Sequence, residues 1–444
     1  MLGFSSHKQM VTKSLPTNKP TLITVLDVGT TKVCCIVARL HPHEADLELT
    51  KRTHQIEIIG FGHQRSRGIK GGVVVDLAEA EQAIRLAVDA AERQARIQVE
   101  SLIVNISGNR MRSEAFSASV SLAGHDVREE DIQRVLHAGR SHSISDDMAI
   151  LHSQPIGYSL DGTPGIKDPL NMAGERLGVD MHSITVNEAS LRNLETVINR
   201  CHIAVESFVA APYASGLACL AGDEAELGVA CIDMGGGTTT VSVFFEGEFV
   251  HYDGIAIGGQ HVTTDLARGL STSLSQAELI KVKYGSVLKT AQSDGETITV
   301  PPIVEDGDTL GDIPVSLIAK IIQPRVEETF ELVRDRLNAS GFASLAGRRI
   351  VLTGGACQLA GMADLAREIL AKNIRLGRPL GVTGLPLEAR GSAFSTIVGL
   401  MIYPQITRIE EDVSYRKSTA LSGGKATGTE GYLGRVGRWL SENF

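Results

Sequence analysis

Apolar residues fall into two patterns along this 444-residue chain. Short apolar runs punctuated by glycine and threonine have the texture of strands and tight turns, while longer segments repeat apolar positions every three or four residues, as helices do. Val229 to Phe245, VACIDMGGGTTTVSVFF, is the most informative stretch: an apolar run ending in aspartate, three glycines, three threonines, then a second apolar run. It predicts two strands joined by a turn with little side chain and many backbone N–H donors. Such a turn suits a phosphate, because consecutive N–H groups form anion-binding concavities and glycine lets a ligand approach the backbone. An ordinary glycine-rich hairpin has the same pattern.

Residues 21–40, TLITVLDVGTTKVCCIVARL, repeat that layout. Asp27 aligns with Asp233 and Gly29 with Gly235, and Thr30–Thr31 fall against the Gly236–Gly237–Thr238 stretch. Two copies predict a duplicated domain. Lys32 closes the first turn, where a cation could meet a phosphate.

Between and beyond the hairpins the pattern predicts further elements. Asp76 caps a helix over 77–96 with Glu79 in capping-box spacing, and Ile84, Val88, Ala91 and Ala95 form its apolar stripe. From about 97 to 178 the texture is that of a compact α+β insertion. A helix over 187–201 follows, with Leu191, Leu194, Ile198 and Cys201 on one face. GGQHVTTDLARGL and SQAELIKVKYG read as short helices ending in glycine, and 291–313 as a polar surface loop or hairpin. PVSLIAKIIQPRVEETFELVRDRL predicts a long helix broken at Pro324, and RRIVLTGGACQLAGMADLAREIL a strand, a Gly354–Gly355 turn and a helix. ARGSAFSTIVGLM is a last buried helix, and Pro404 ends the body.

Residues 405–430 are polar and predict a flexible tether with a reach of roughly 25–30 Å. In 431–444, GYLGRVGRWLSENF, a helical projection puts Tyr432, Leu433, Val436, Trp439, Leu440 and Phe444 in one arc, with Arg435, Arg438 and Glu442 on the other side. An aromatic and apolar face opposite basic residues is what a helix lying in a membrane interface needs, and anionic lipids would add to it. A helix docking on its own body or on a partner is the other reading.

Composition narrows the class. The chain is 43% hydrophobic and 21% charged, as in a soluble globular protein, with only 4% aromatic residues. Its formal charge of -9 argues against bulk nucleic-acid binding. The six cysteines, at 34, 35, 201, 219, 231 and 357, show no CxxC or Cys/His spacing and predict neither a zinc site nor a disulfide framework. Histidines 125, 137, 142 and 152 lack metal-ligand spacing and read as surface or core residues.

LDVGTTK, IDMGGGTTT and VLTGGA, in this order, resemble the two phosphate loops and the adenosine loop of the actin-like ATPases. Within that superfamily, SRGIKGGVVVDL, DGTPGIKDPLNMAGERL, GGQHVTTDLARGL, AELIKVKYG and the basic amphipathic end resemble the FtsA family of bacterial cell-division proteins. The resemblance covers roughly 21–404 and 431–444. It implies an α/β actin-like ATPase fold, with two duplicated α/β domains around a nucleotide cleft and an inserted α+β subdomain. The boundaries are an arm over 1–20, a first domain over 21–96 and 179–210 interrupted by the insertion over 97–178, and a second domain over 211–388 whose outer part is about 258–340. A closing helix over 389–404, a linker over 405–430 and the amphipathic helix over 431–444 complete the chain.

For the site, the resemblance implies ATP and Mg²⁺. Gly29, Thr30, Thr31 and Lys32, with Gly235, Gly236, Gly237, Thr238 and Thr239, would hold the phosphates, and Asp27 and Asp233 would position Mg²⁺. Gly354, Gly355 and Ala356 would line the adenosine side, with Glu278 and Lys281 near ribose and base. Many relatives carry an acidic residue after the second phosphate loop, where this chain has Thr240, which implies at most weak ATPase activity. The implied role is a tether of the FtsZ ring to anionic lipids on the cytoplasmic face of the inner membrane, one that self-associates and recruits later division proteins. The alternatives are a phosphotransferase of the sugar-kinase type and an actin-like pilus-assembly adaptor.

Overall fold

The computed structural model describes residues 15–406 apart from 17, 43–51, 109–110, 141–144, 146, 289–294 and 302–311. The amphipathic helix expected over 431–444, almost all of the linker and most of the N-terminal arm lie outside the described residues.

Two sheets carry the body, and they have the same topology. In the first, the order is Ala204–Ala210, Ser101–Ile106, Thr21–Val28, Lys32–Pro42, His54–Arg65, then the short Val382–Thr383 at the edge. In the second, it is Asn373–Leu376, Arg349–Thr353, Val229–Met234, Thr239–Phe245, Glu248–Ile255. Each sheet has an antiparallel meander of three strands, whose first strand also pairs in parallel with a later one. The registers agree as well: Asp27 faces Cys34 and Asp233 faces Thr240. The turns close identically, Gly29 N–H donating to Lys32 O at 2.9 Å and Gly235 N–H to Thr238 O at 2.9 Å. The duplication inferred from two hairpins thus extends over whole sheets.

Two buried helices join the halves. Ala211–Cys219 packs beneath the second sheet and Ser395–Ile406 beneath the first, and they lie against each other. At their crossing a Cβ on Gly399 would fall 1.7 Å from Ala214 O, so only glycine allows this approach.

The insertion differs in extent from the expected 97–178. Its antiparallel sheet runs in the order Met111–Ser121, Arg176–Asn187, Met148–Leu160, Thr163–Ile166, with helix Glu129–Arg140 packed on it. Phe116, Leu122, Val135, Leu177, Val179 and Met181 form its own small core. SLIVNI, assigned to the insertion from its place in the sequence, is the strand Ser101–Ile106 of the first sheet. Its near-continuous burial is that of a parallel strand covered on both faces. At the other end, RLGVD and MHSITV form one unbroken strand, so the insertion's sheet ends only at Asn187.

Two local expectations are also corrected. Helix Val315–Ala339 runs through Pro324 without a break. Ile318, Ile322, Val326, Phe330, Val333 and Leu337 form one buried stripe, while Pro324 and Lys320 face solvent, where water can take the carbonyl that proline leaves unbonded. After Arg349–Thr353, the Gly354–Gly355 turn leads into a 3₁₀ turn, Ala356–Gln358, and the α-helix begins only at Met362.

Helix Leu77–Ala95 starts as its sequence indicates. Asp76 Oδ1 accepts the N–H groups of Ala78 at 2.9 Å and Glu79 at 3.0 Å. Replacing Asp76 by alanine is expected to lower stability by about 1 kcal/mol. Urea denaturation should show a lower midpoint with an unchanged slope.

Candidate functional site: the cleft between the duplicated sheets

The two equivalent hairpin turns face each other across a cavity of about 390 Å³. They are nearly in contact. A Cβ on Gly236 would lie 2.4 Å from Thr31 Cγ2, and one on Gly237 would lie 2.7 Å from Thr30 Oγ1. Side chains at those two positions would push the halves apart.

Fifteen of the sixteen residues expected at a nucleotide site line this cavity. The exception is Thr239. It is fully buried, and its hydroxyl donates to Ile257 O at 2.8 Å. Strand alternation explains the difference: Thr238 and Thr240 face the cleft, so Thr239 between them must face the core.

The two aspartates sit on the floor of the cleft, at equivalent positions. Asp27 Oδ1 accepts Asn105 Nδ2–H at 2.8 Å, and Lys32 Nζ lies 3.7 Å from its Oδ2. Asp233 Oδ2 accepts the hydroxyls of Ser215 and Thr396. Burial raises the Asp27 carboxyl above the usual range, with Lys32 opposing it. Burial likewise raises Asp233; the Ser215 hydrogen bond opposes the shift and the negative charge of Asp27 adds to it. Burial disfavours the charge on both carboxylates, and the charge of Asp27 disfavours that of Asp233, so a cation is welcome here.

Lys32 is held by its surroundings. Its ammonium donates to Ala393 O and sits 4.8 Å from the centre of the Phe394 ring. On the opposite wall Lys281 Nζ donates to Glu278 Oε2 at 2.7 Å, Thr263 Oγ1 at 2.9 Å and Gly259 O at 3.1 Å. Helix Gly259–Gly269 in turn ties into the second loop, since Gly259 and Gln260 N–H donate to Gly235 O and Gly236 O at 2.9 and 2.7 Å. Gly354 is the backbone bridge between walls. It has φ +89°, and a Cβ there would lie 2.4 Å from Asp233 Oδ1.

The lining also includes residues not singled out from the sequence: Asn105, Ser107, Ala211, Gly259, Gln358 and Thr396. Asn105 carries a local signal, as the one polar residue inside the apolar run SLIVNI. Ser215 and Thr396 carry none, being ordinary residues of buried helices.

Comparison with known proteins adds identity to this geometry. The chain is 52% identical over 433 residues to the cell division protein FtsA of Rhizobium meliloti (strain 1021), covering 97% of both chains. It is 31% identical to FtsA of Escherichia coli (strain K12) over 430 residues, 95% of this chain and 98% of that one. The chain belongs to the FtsA family of cell-division proteins. The family model for cell division protein FtsA matches residues 230–399, and the model for the SHS2 domain inserted in FtsA matches 108–185. The latter agrees with the insertion's sheet, from Met111 to Asn187. Among solved structures, the PilM–PilN type IV pilus biogenesis complex is similar with TM-score 0.59 at 14% identity, over 86% of this chain and 98% of that one. MreB5 of Spiroplasma citri bound to ADP is similar with TM-score 0.53 at 14% identity, over 89% and 99%. These likenesses show the fold, that of the actin-like ATPases, and the SHS2 match gives the FtsA-type insertion.

Proposed function

We propose that this FtsA-family protein binds ATP with Mg²⁺ in the cleft between its duplicated domains, self-associates, and tethers the FtsZ ring to the inner membrane through residues 431–444. The observation that carries the nucleotide reading is the meeting of two equivalent glycine–threonine turns over two buried aspartates. The residues present fit the ligand. Glycines 29, 235, 236, 237, 354 and 355 leave backbone exposed in a cavity where added Cβ atoms would intrude, and Lys32 supplies a cation beside the first turn. Asp27 and Asp233 suit a magnesium ion that keeps part of its water shell, because such sites use one or two carboxylates together with phosphates. The bound ion would offset phosphate charge.

Holding is favoured over rapid cleavage. Among the described residues lining the cleft the carboxylates are Asp27, Asp233 and Glu278. The first two are hydrogen-bonded to neighbours and the third is paired with Lys281. Thr240, facing Asp233, offers a hydroxyl that cannot act as a general base at neutral pH. ATP would therefore favour an assembly-competent state and turn over slowly. Recruitment of later division proteins fits the same role.

Lipid-monolayer electron microscopy with and without ATP tests the reading, together with liposome co-sedimentation of full-length protein and of protein ending at residue 430. Filaments that need both lipid and ATP, and loss of co-sedimentation in the shortened chain, are the expected results. Unchanged liposome binding without 431–444 would remove the tether from the proposal.

A further inference from the structure

The root of the insertion meets the first turn and the second domain directly, and reaches the second turn through the Gly71–Gly72 turn. Asn105 and Ser107, at the end of strand Ser101–Ile106, line the cleft. Asn105 grips the first turn from both sides: its Nδ2–H donates to Asp27 and its Oδ1 accepts Val28 N–H at 2.7 Å. A shift of Asp27 is therefore a shift of this strand end.

The second turn has a route of its own. A Cβ on Gly237 would lie 3.1 Å from Gly71 Cα, and one on Gly108 would lie 2.9 Å from Gly71 O. A Cβ on Gly72 would lie 2.3 Å from Ser107 O. The second turn, the Gly71–Gly72 turn and the Ser107–Gly108 segment are thus stacked at backbone contact distance, where side chains cannot cushion a movement.

From Gly108 the connection passes to the second domain. Gly108 adopts φ +121°, and its carbonyl accepts the Tyr252 hydroxyl at 2.7 Å. Tyr252 lies in Glu248–Ile255, the edge strand of the second sheet, and its N–H donates to Ser113 Oγ at 3.1 Å in the insertion's first strand. Farther from the cleft, Gln154 Nε2–H donates to Phe249 O at 3.1 Å. The insertion leaves the chain from the first domain yet is fastened to the second.

We propose that occupancy of the cleft controls how the insertion is fastened to the second domain, through Asn105–Gly108 and the Tyr252 hydroxyl. This rests on the nucleotide reading above. An ion and phosphates entering beside Asp27 compete for the carboxylate that Asn105 shares, and the two turns change spacing around the ligand. Close-packed segments respond to such changes by moving between discrete arrangements. The coupling is reciprocal, so a loosened fastening changes affinity in the cleft.

Hydrogen exchange of the full chain with and without Mg-ATP tests this, using wild type, Tyr252→Phe and Gln154→Ala. In wild type, ATP is expected to slow exchange in the two turns and to change it about five-fold or more in 111–121 and 248–255. Tyr252→Phe keeps the ring and removes only the hydroxyl; the turns should still respond while the response of 111–121 and 248–255 collapses. Gln154→Ala loosens the same interface off the route and should keep both responses. A wild type whose turns respond while the insertion does not overturns the inference and leaves the nucleotide reading standing, as does a Tyr252→Phe protein that behaves like wild type. No response anywhere overturns the nucleotide reading and the inference with it.

Discussion

Gly354→Ala is expected to abolish ATP binding and to cost at least about 3 kcal/mol of stability. The residue sits at φ +89°, a conformation that alanine adopts only under strain. The added methyl would lie 2.4 Å from Asp233 Oδ1 and 2.5 Å from Met234 O, so the strand or the turn must move. Either movement displaces Asp233 from Ser215 and opens the wall on which the adenosine side would rest. Gly355→Ala is the control for stability. Its φ is -67°, and its nearest neighbour to a new Cβ is Ala393 Cβ at 3.7 Å, so stability should change by no more than about 0.5 kcal/mol. Titration with a fluorescent ATP analogue and urea unfolding of both variants check the pair. An unaltered ATP affinity in Gly354→Ala would place the nucleotide somewhere other than this cleft.

Mild acid is expected to weaken the protein steeply through three histidines buried where the insertion meets the rest of the body, His152 against the first sheet and His182 and His251 at the second. Burial depresses His152 to about 3, His182 to about 3 and His251 to about 4. His152 Nε2 accepts Ala210 N–H at 2.9 Å, so its proton lies on Nδ1, which has no hydrogen-bond partner among the described residues. His182 meets Phe249 edge-on at 4.9 Å and His251 stacks on Phe342 at 4.7 Å, contacts suited to neutral rings. In the unfolded chain all three take up protons near pH 6.5, whereas the folded chain refuses them until about pH 4 or below. The unfolded state therefore binds more protons over that window, and stability falls as pH falls. The rings alone make the loss as much as about 5 kcal/mol between pH 6.5 and 5. Asp27 and Asp233 act in the opposite sense, because their raised folded-state values favour proton uptake by the native protein, and they offset part of the loss. Stability from urea unfolding at several pH values measures the slope. His182→Phe should remove about one proton from it, and an unchanged slope would show that this ring is not a source of the acid sensitivity.

Much of the cleft was legible because its loops are local objects. An aspartate at the end of an apolar run, followed within four residues by glycine and threonine, specifies a strand, a turn and the direction of the aspartate with no help from the rest of the chain. The repeat of that pattern implied two equivalent halves, and the sheets agree over five strands, the short edge strand Val382–Thr383 being the extra one in the first. Where the reading failed, the missing information was non-local. Thr239 sits in the same triplet as two cleft residues, and the alternation that turns it inward is set by which face of this strand of the second sheet is covered. SLIVNI and RLGVD lie on either side of a boundary set by which sheet each strand joins. Pro324 stays within its helix because a buried stripe on the far side holds the helix together.

By itself, then, the sequence determined the family, the duplicated α/β plan and the loops that face the cleft, because each of these is written in short, contiguous patterns. The tertiary structure alone decided the surroundings. Asn105 meets Asp27 across 78 residues, Ser215 meets Asp233 across 18 and Thr396 meets it across 163. The Tyr252 hydroxyl reaches Gly108 across 144. No local pattern announces such partners, since each is a common polar residue whose role comes only from the packing that brings it there.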